Sequence, residues 1–290
     1  MSAINALLPC ISALLAEASD DLATHSESPR LDAELLLAFV LQVPRSYLFA
    51  HPEERPGREA FAIYRDLVGR RKSGEPVAYI TGHREFWSMD LIVNRHTLIP
   101  RPDTETLVLK ALELMQNRTD LDVLDLGTGS GAVALALARE RAGDNVVGTD
   151  TSAEAVGVAR YNAERLGVGN VEFLHGDWFA PVAGRRFDMI VSNPPYVAES
   201  DPHLARPEIR YEPCGALVAG KDGLDSLSHI VESAPAHLRP GGWILVEHGE
   251  RQRESVRELL ATADFGRVET AKDLAGRARV TFGQARGRRA

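Results

Sequence analysis

The sequence predicts an α/β protein, a doubly wound and mostly parallel Rossmann-like sheet, with a small helical bundle ahead of it and a β-hairpin joining the two. Three observations carry this. From Asp122 onward short apolar runs alternate with helix-period segments, the pattern of βαβ units. Gly127-Thr128-Gly129-Ser130-Gly131 follows the first apolar run directly and opens a helical pattern, the place where such folds turn tightly toward a ligand. The run Asp188-Met189-Ile190-Val191-Ser192 breaks at once into Asn193-Pro194-Pro195-Tyr196. Proline cannot continue a sheet, so the chain must leave it at the strand's C-terminal end, the edge where open α/β sheets keep their ligands.

The strand candidates are Val123–Leu126, Val146–Thr149, Val171–Leu174, Met189–Val191 and Trp243–Val246, with helices at about Ser130–Arg141, Ala153–Leu166, Leu224–Leu238 and Arg251–Ala263. Val280-Thr281-Phe282 reads as a last strand, an antiparallel edge. Ahead of the sheet, Ile4, Leu7, Leu8, Ile11, Leu14 and Leu15 recur at helix spacing, as do Leu31, Leu35, Leu36 and Phe39 after Pro29. Glu59–Lys72 reads as a further helix, so residues 1–75 form a bundle suited to substrate docking. Between Val77 and Ile99, Tyr79, Ile80, Phe86, Trp87, Ile92 and Val93 are interleaved with Gly82 and Asn94, which predicts the hairpin linker over 76–100. Residues 101–290 are then the sheet domain. Asp103 or Thr104 is placed to cap the helix implied by Leu107, Val108, Ala111, Leu112 and Met115, and Arg101 is as well suited to solvent as to a ligand. Gln284–Ala290 reads as a frayed, arginine-rich end.

A chain of 290 residues with 44% hydrophobic content can bury a full core, and its formal charge of -8 argues against a broad nucleic-acid footprint. Cys10 and Cys214 lack metal-site spacing, which suits reduced thiols in the cytoplasm. The first lysine or arginine is Arg30 and Pro9 interrupts the early apolar run, so no signal peptide is expected, nor any membrane span.

Glycines in the 127–131 loop let the backbone approach a ligand, and the free N–H groups of the following helix start favour a negative group. Asp150 ends the second strand, where a carboxylate accepts both ribose hydroxyls of an adenosine-containing cofactor. Asp177-Trp178 ends the third, with an acid for the edge of adenine and an indole for its face. Gly127, Gly129 and Ala132 also satisfy the dinucleotide fingerprint, so the loop alone leaves NAD and S-adenosylmethionine open. The fourth strand discriminates between them. An –NH2 group has two hydrogens to place, and the Asn193 side-chain oxygen with the Pro194 carbonyl offers two fixed acceptors while Tyr196 covers a flat group. Hydride transfer has no use for that corner; methyl transfer to an –NH2 does. His83, His96, His175 and His248 lack metal-type pairing and read as surface or satisfied core residues, no metal is expected, and Ser130 and Ser192 have no His base nearby.

Gly74-Glu75-Pro76-Val77-Ala78-Tyr79-Ile80-Thr81-Gly82, Arg84-Glu85-Phe86-Trp87, Leu98-Ile99-Pro100-Arg101-Pro102-Asp103-Thr104-Glu105, the glycine loop, Asn193–Tyr196, Glu212-Pro213 and Asp222-Gly223-Leu224-Asp225 together resemble the HemK/PrmC family. These are N5-glutamine methyltransferases of class I peptide chain release factors. The resemblance implies a class I methyltransferase fold and S-adenosylmethionine as donor, held by Gly127, Thr128, Gly129, Ser130, Gly131, Asp150, Trp178 and Asn193. It implies S-adenosylhomocysteine as product and, as acceptor, the glutamine of a Gly-Gly-Gln motif held by Asn193, Pro194, Pro195 and Tyr196. Asn193, Pro194 and Tyr196 are the expected catalytic groups. A cytoplasmic monomer without nucleic-acid or membrane partners is expected. Asn-Pro-Pro-Tyr is shared more widely, so the alternatives are an adenine-N6 nucleic-acid methyltransferase, a ribosomal-protein glutamine methyltransferase, or a donor-binding protein without catalysis.

Overall fold

The computed structural model describes residues 8–286. The helical expectations at Ile4 and Leu7, and the tail beyond Arg286, lie outside them. The chain forms two compact units, one of residues up to Gly82 together with Ala205–Tyr211, the other of His83–Leu204 with Glu212 onward.

The first unit is helical: α1 (Ile11–Leu22), α2 (Pro29–Leu41), α3 (Arg45–Ala50), α4 (Arg58–Lys72) and α5 (Val77–Thr81). Its core joins Ile11, Leu14, Leu15 and Leu22 of α1 to Leu36 and Leu37 of α2, Leu48 of α3, and Tyr64, Leu67 and Val68 of α4. Each fully buried side chain of this size contributes about 1.5–3 kcal/mol. A buried ion cluster sits beside it. Arg71 Nε donates to Asp32 Oδ2 at 2.7 Å, Ser26 donates to the same oxygen at 2.7 Å, and the guanidinium also pairs with Glu208 of the returning segment. Pro207 of that segment lies against Gly74, where a Cβ would come within 2.7 Å of it, so only glycine fits at this contact.

Val77–Thr81 was expected to enter the hairpin and is instead a single helical turn. Its β-branched and aromatic residues favour a strand, but Pro76 starts the turn and Gly82, at φ 77°, ends it. The hairpin proper is short, β1 (His83–Phe86) and β2 (Met89–Ile92), antiparallel. Its two turn residues, Trp87 and Ser88, both have positive φ, 52° and 54°, as a two-residue hairpin turn with the twist of its strands requires. Side chains hold this costly turn: Glu85 accepts from Ser88 N at 2.7 Å, Glu105 from Trp87 N at 3.2 Å, and Glu140 from the Trp87 indole at 2.9 Å.

The rest of the second unit runs α6 (Glu105–Met115), β3 (Asp122–Leu126), α7 (Ala132–Glu140), β4 (Asn145–Asp150), α8 (Ala153–Leu166), β5 (Val171–His175), β6 (Phe187–Ser192), α9 (Asp225–His237), β7 (Leu238–Glu247), α10 (Arg253–Thr262), β8 (Phe265–Lys272) and β9 (Ala278–Ala285). The sheet has seven strands in the order β5-β4-β3-β6-β7-β9-β8, parallel from β5 to β7 and antiparallel at β9 and β8. Strand alternation sorts the core. Val123, Met189, Val191 and Leu245 pack with α6, α7 and α8 on one face, while Leu124, Ile190, Ile244 and Val246 pack with α9 and α10 on the other. The expected last strand exists but is not an edge. β8 covers it, and β7 begins at Leu238, ahead of the expected Trp243.

The chain winds outward from β3 in one direction and from β6 in the other. The ends of these adjacent strands therefore form the topological switch point, where the loops diverge and leave a crevice. Ser192 clamps the two ends together, its hydroxyl donating to the Leu126 carbonyl at 2.8 Å. Both sequence motifs leave the sheet here.

Candidate active site

After β3 the loop turns back on β4. The N–H groups of Gly127 and Thr128 both donate to the Thr149 carbonyl, at 2.9 and 3.0 Å, and Gly129 N–H donates to Asp150 Oδ2 at 2.9 Å. Gly127, Gly129 and Gly131 have φ of 70°, 57° and 85°, the left-handed region that favours glycine. The remaining loop side chains face inward. Thr128 donates to Asp125 Oδ2 at 2.7 Å, and Ser130 is buried, its carbonyl accepting from Asn162 at 2.9 Å. A Cβ at Gly131 would meet Leu135, Phe173 and Ala159 at 3.0–3.2 Å. Among the loop residues expected to hold the donor, Gly127 and Gly129 line the crevice; Thr128, Ser130 and Gly131 shape the turn from behind.

Asp125, fully buried behind the loop, has its pKa pushed up to about 7 by burial, against the pull of its bonds from Thr128 and the Ala134 N–H. Asp150 at the end of β4 accepts from Gly129 N and, through Oδ1, from Ser152 N at 2.9 Å. A carboxylate has about four acceptor positions, so each oxygen keeps a lone pair for a ligand. Trp178 stands opposite, its backbone at φ 39° and its carbonyl taking the Thr149 hydroxyl at 2.9 Å.

Gly127, Gly129, Asp150 and Trp178 line a cavity of about 270 Å³ that also includes His96, Thr97, Leu98, Asp177, Asn193 and Pro195. A second cavity of about 100 Å³ is lined by Arg101, Pro194, Tyr196, Val197 and His203. Leu98, Asn193 and Ala216 line both, so Asn193 stands where the two meet. Its Nδ2 donates to Thr104 Oγ1 at 3.0 Å. The Tyr196 hydroxyl donates to Glu247 Oε1 at 3.2 Å, and the Tyr196 carbonyl accepts from Gln252 Nε2 at 3.0 Å. Gly223 leaves room for this, because a Cβ there would lie 2.3 Å from the same carbonyl. Pro195 lines the larger cavity and not the smaller one, apart from its expected partners Pro194 and Tyr196.

Several side chains differ from their sequence reading. Thr104 makes no helix cap and holds Asn193 instead. Arg101 pairs with buried Glu212, whose other oxygen accepts from Ile99 N at 3.2 Å, and it also lines the smaller cavity. His96, expected on the surface or in the core, is half-buried in the wall of the larger cavity. His248 is a satisfied core histidine, with ring nitrogens 2.8 Å from the Gly249 carbonyl and 2.7 Å from the Thr281 hydroxyl. Glu247, missed altogether, is buried with its pKa pushed up to about 7, chiefly by burial. No signal in its own strand marks it. Among the described residues no cluster of three metal-binding side chains occurs, and no helix is long and apolar enough to cross a membrane.

A sheet of this topology, with a glycine loop and acid at the switch point, is a class I methyltransferase fold. The T. thermophilus 16S rRNA N2 G1207 methyltransferase, solved in complex with AdoMet and guanosine, is similar, with a TM-score of 0.51 and 25% identity over 70% of this chain and 50% of that one. Residues 101–207 match the methyltransferase small domain and residues 13–82 the PrmC N-terminal domain. The release factor glutamine methyltransferase of Pseudomonas aeruginosa is 53% identical across 89% of this chain and 94% of its own, and that of Yersinia pestis 51% identical across 90% and 94%. The chain belongs to the release factor glutamine methyltransferase family.

Proposed function

We propose that the chain transfers a methyl group from S-adenosylmethionine to the side-chain amide nitrogen of the glutamine in a Gly-Gly-Gln motif of class I release factors, acting in the cytoplasm as a monomer and without a metal. One observation carries the reading. Asn193 stands at the junction of the two cavities with Nδ2 committed to Thr104, which leaves Oδ1 as its free acceptor.

The larger cavity fits the donor. Gly127 and Gly129 present no Cβ to it, Asp150 offers acceptor positions for ribose hydroxyls, and Trp178 offers an indole face for adenine. When bound, S-adenosylmethionine would supply a sulfonium-activated methyl group, with the neutral thioether S-adenosylhomocysteine as leaving group. The smaller cavity takes the acceptor carboxamide. An amide nitrogen is a poor nucleophile because its lone pair is delocalised into the carbonyl. Asn193 Oδ1 and the Pro194 carbonyl each hold one amide hydrogen, which orients the nitrogen, raises its electron density and stabilises the positive charge that develops on it. Tyr196, anchored at its hydroxyl by Glu247, covers the flat face of the amide. Pre-alignment supplies much of the remaining acceleration, roughly 7–11 kcal/mol in the best intramolecular cases. No strong base is needed, since the methylated nitrogen is acidic enough to lose its surplus proton to water.

The test is mass spectrometry of a purified class I release factor after incubation with the protein and S-adenosylmethionine. One added methyl on the glutamine of the Gly-Gly-Gln peptide is expected. An unmodified release factor, with label appearing in RNA, DNA or a ribosomal protein instead, would overturn the assignment.

A further inference from the structure

Holding an acceptor amide needs Asn193 in one of two nearly isosteric orientations. With Oδ1 toward the acceptor it receives a hydrogen; with the amide reversed, an –NH2 faces an –NH2 and neither can accept. Nothing within Asn193 itself makes that choice. Its neighbour Thr104 makes it only if the threonine proton is engaged elsewhere, because a hydroxyl both donates and accepts.

The buried surroundings supply that engagement. Thr104 Oγ1, 3.0 Å from Asn193 Nδ2, belongs to a residue 3% exposed, and Glu247 beside it is 1% exposed. Glu247 Oε1 receives the Tyr196 hydroxyl, while Oε2 is buried without a regular hydrogen-bond partner. The Thr104 hydroxyl is near enough to favour the charged form of this carboxyl, although it makes no regular hydrogen bond to it. The turn that carries Thr104 is itself tethered, since Arg279 of β9 bridges Asp103 at 2.9 Å and Asp273 at 3.2 Å.

We infer that Thr104 and Glu247 are positioning residues for methyl transfer: the Glu247 carboxylate draws the Thr104 hydroxyl hydrogen toward itself as a donor, Thr104 Oγ1 is left to accept on its other side, and Asn193 is thereby fixed with Nδ2 toward Thr104 and Oδ1 toward the acceptor. The inference rests on the proposed function. It adds a relay whose state follows the ionisation of one carboxyl. Glu247 is faced by Tyr196 from the loop after β6, by Asp103 and Thr104 from the turn before α6, and by Arg279 from β9. Burial and Asp103 favour its neutral form, while Thr104, Arg279 and Tyr196 favour its charge, and the balance puts its titration near neutrality, at about 7. Once protonated, Glu247 no longer draws the Thr104 proton, Thr104 is free to donate to Asn193 Oδ1, and the unproductive orientation becomes accessible.

The experiment is single-turnover methylation of a purified release factor across pH 5.5–9 (about 1.5 below and 2 above the Glu247 titration), with donor affinity measured by calorimetry on the same proteins. The wild-type rate is expected to rise with pH to a plateau with an apparent pKa near 7. Thr104→Val should lower the plateau rate roughly 10- to 100-fold, as misplacement of a positioned group does, with donor affinity unchanged. Thr104→Ser, which restores the hydroxyl, should recover most of the rate. Glu247→Gln removes the titrating group and should give a rate independent of pH over this limb; it carries the test if Thr104→Val does not fold. Wild-type rate in Thr104→Val, a loss that Thr104→Ser does not recover, or persistence of the rising limb in Glu247→Gln would overturn the inference. Wild-type protein that leaves the release factor unmodified would instead overturn the function on which it rests.

Discussion

Asp150 illustrates how one side chain serves the fold and the ligand together. Each of its oxygens is already held by a backbone N–H, from Gly129 and Ser152, so the carboxylate is fixed before any ribose arrives. Asp150→Ala is therefore expected to weaken S-adenosylmethionine binding roughly 10- to 100-fold, the scale of a hydrogen bond to a charged group at about 1.5–3 kcal/mol. The rate at saturating donor should change much less. Calorimetry showing wild-type donor affinity in this variant would remove the ribose role. Residues of this kind were legible in the sequence because their neighbours are local: the loop follows a strand, Asp150 ends the next, and Asn193 precedes two prolines. Thr104 and Glu247 were not legible as site residues. Their contacts reach across 89 and 51 positions of chain, to Asn193 and Tyr196, and no local pattern reports such a meeting.

At the scale of elements, Arg71 shows what a buried charge does between packed segments. It pairs with Asp32 at the start of α2 and with Glu208 of the segment that returns to the helical unit. Removing Arg71 leaves Asp32 buried with only its serine hydroxyl partners while Glu208, about a third exposed, turns to water, a cost of about 3 kcal/mol at the low end for a broken buried pair. Arg71→Ala should destabilise the helical unit by that amount, seen as an earlier unfolding transition by circular dichroism. A change below about 1 kcal/mol would mean that water compensates the two carboxylates. Element-level legibility was uneven for reasons of burial. Central strands such as β6 are buried throughout and stand out by a continuous apolar run, here Met189–Val191. β8 does not, because its sequence Phe-Gly-Arg-Val-Glu-Thr-Ala-Lys pairs on one side only and buries Phe265 alone, the other positions being half-buried or exposed. The turn at Val77–Thr81 carries strand-forming residues and is helical because Pro76 and Gly82 set its ends.

For the whole molecule, the site's demands appear as a pH dependence of stability. Asp125 is held near 7 when folded against an ordinary value of 3.8, because burial disfavours its charge. A carboxyl raised by folding contributes stability that is fully present below about pH 4 and is lost as pH rises through 7. Relative to Asp125→Asn, the wild type should lose up to about 4 kcal/mol across that window. Trp87, Trp178 and Trp243 all belong to the sheet unit, so tryptophan fluorescence in urea titrations follows that unit. Parallel pH profiles for the two proteins would show that Asp125 titrates normally. The fold class and the switch-point site were legible as a whole, since alternation and two motifs define them. The excursion of Ala205–Tyr211 into the helical unit was not, because nothing in its composition distinguishes a segment that changes unit from an ordinary loop.

All of this depends on Asn193 holding the acceptor amide by one of its hydrogens. The most direct measurement compares Asn193→Ala with wild type in single-turnover methylation of a release factor, alongside donor affinity by calorimetry. The rate should fall roughly 10²- to 10³-fold, as when one preorganised electrostatic contact is removed, while donor affinity stays within a few-fold of wild type. Equal losses in rate and affinity would place Asn193 on the donor and contradict the account.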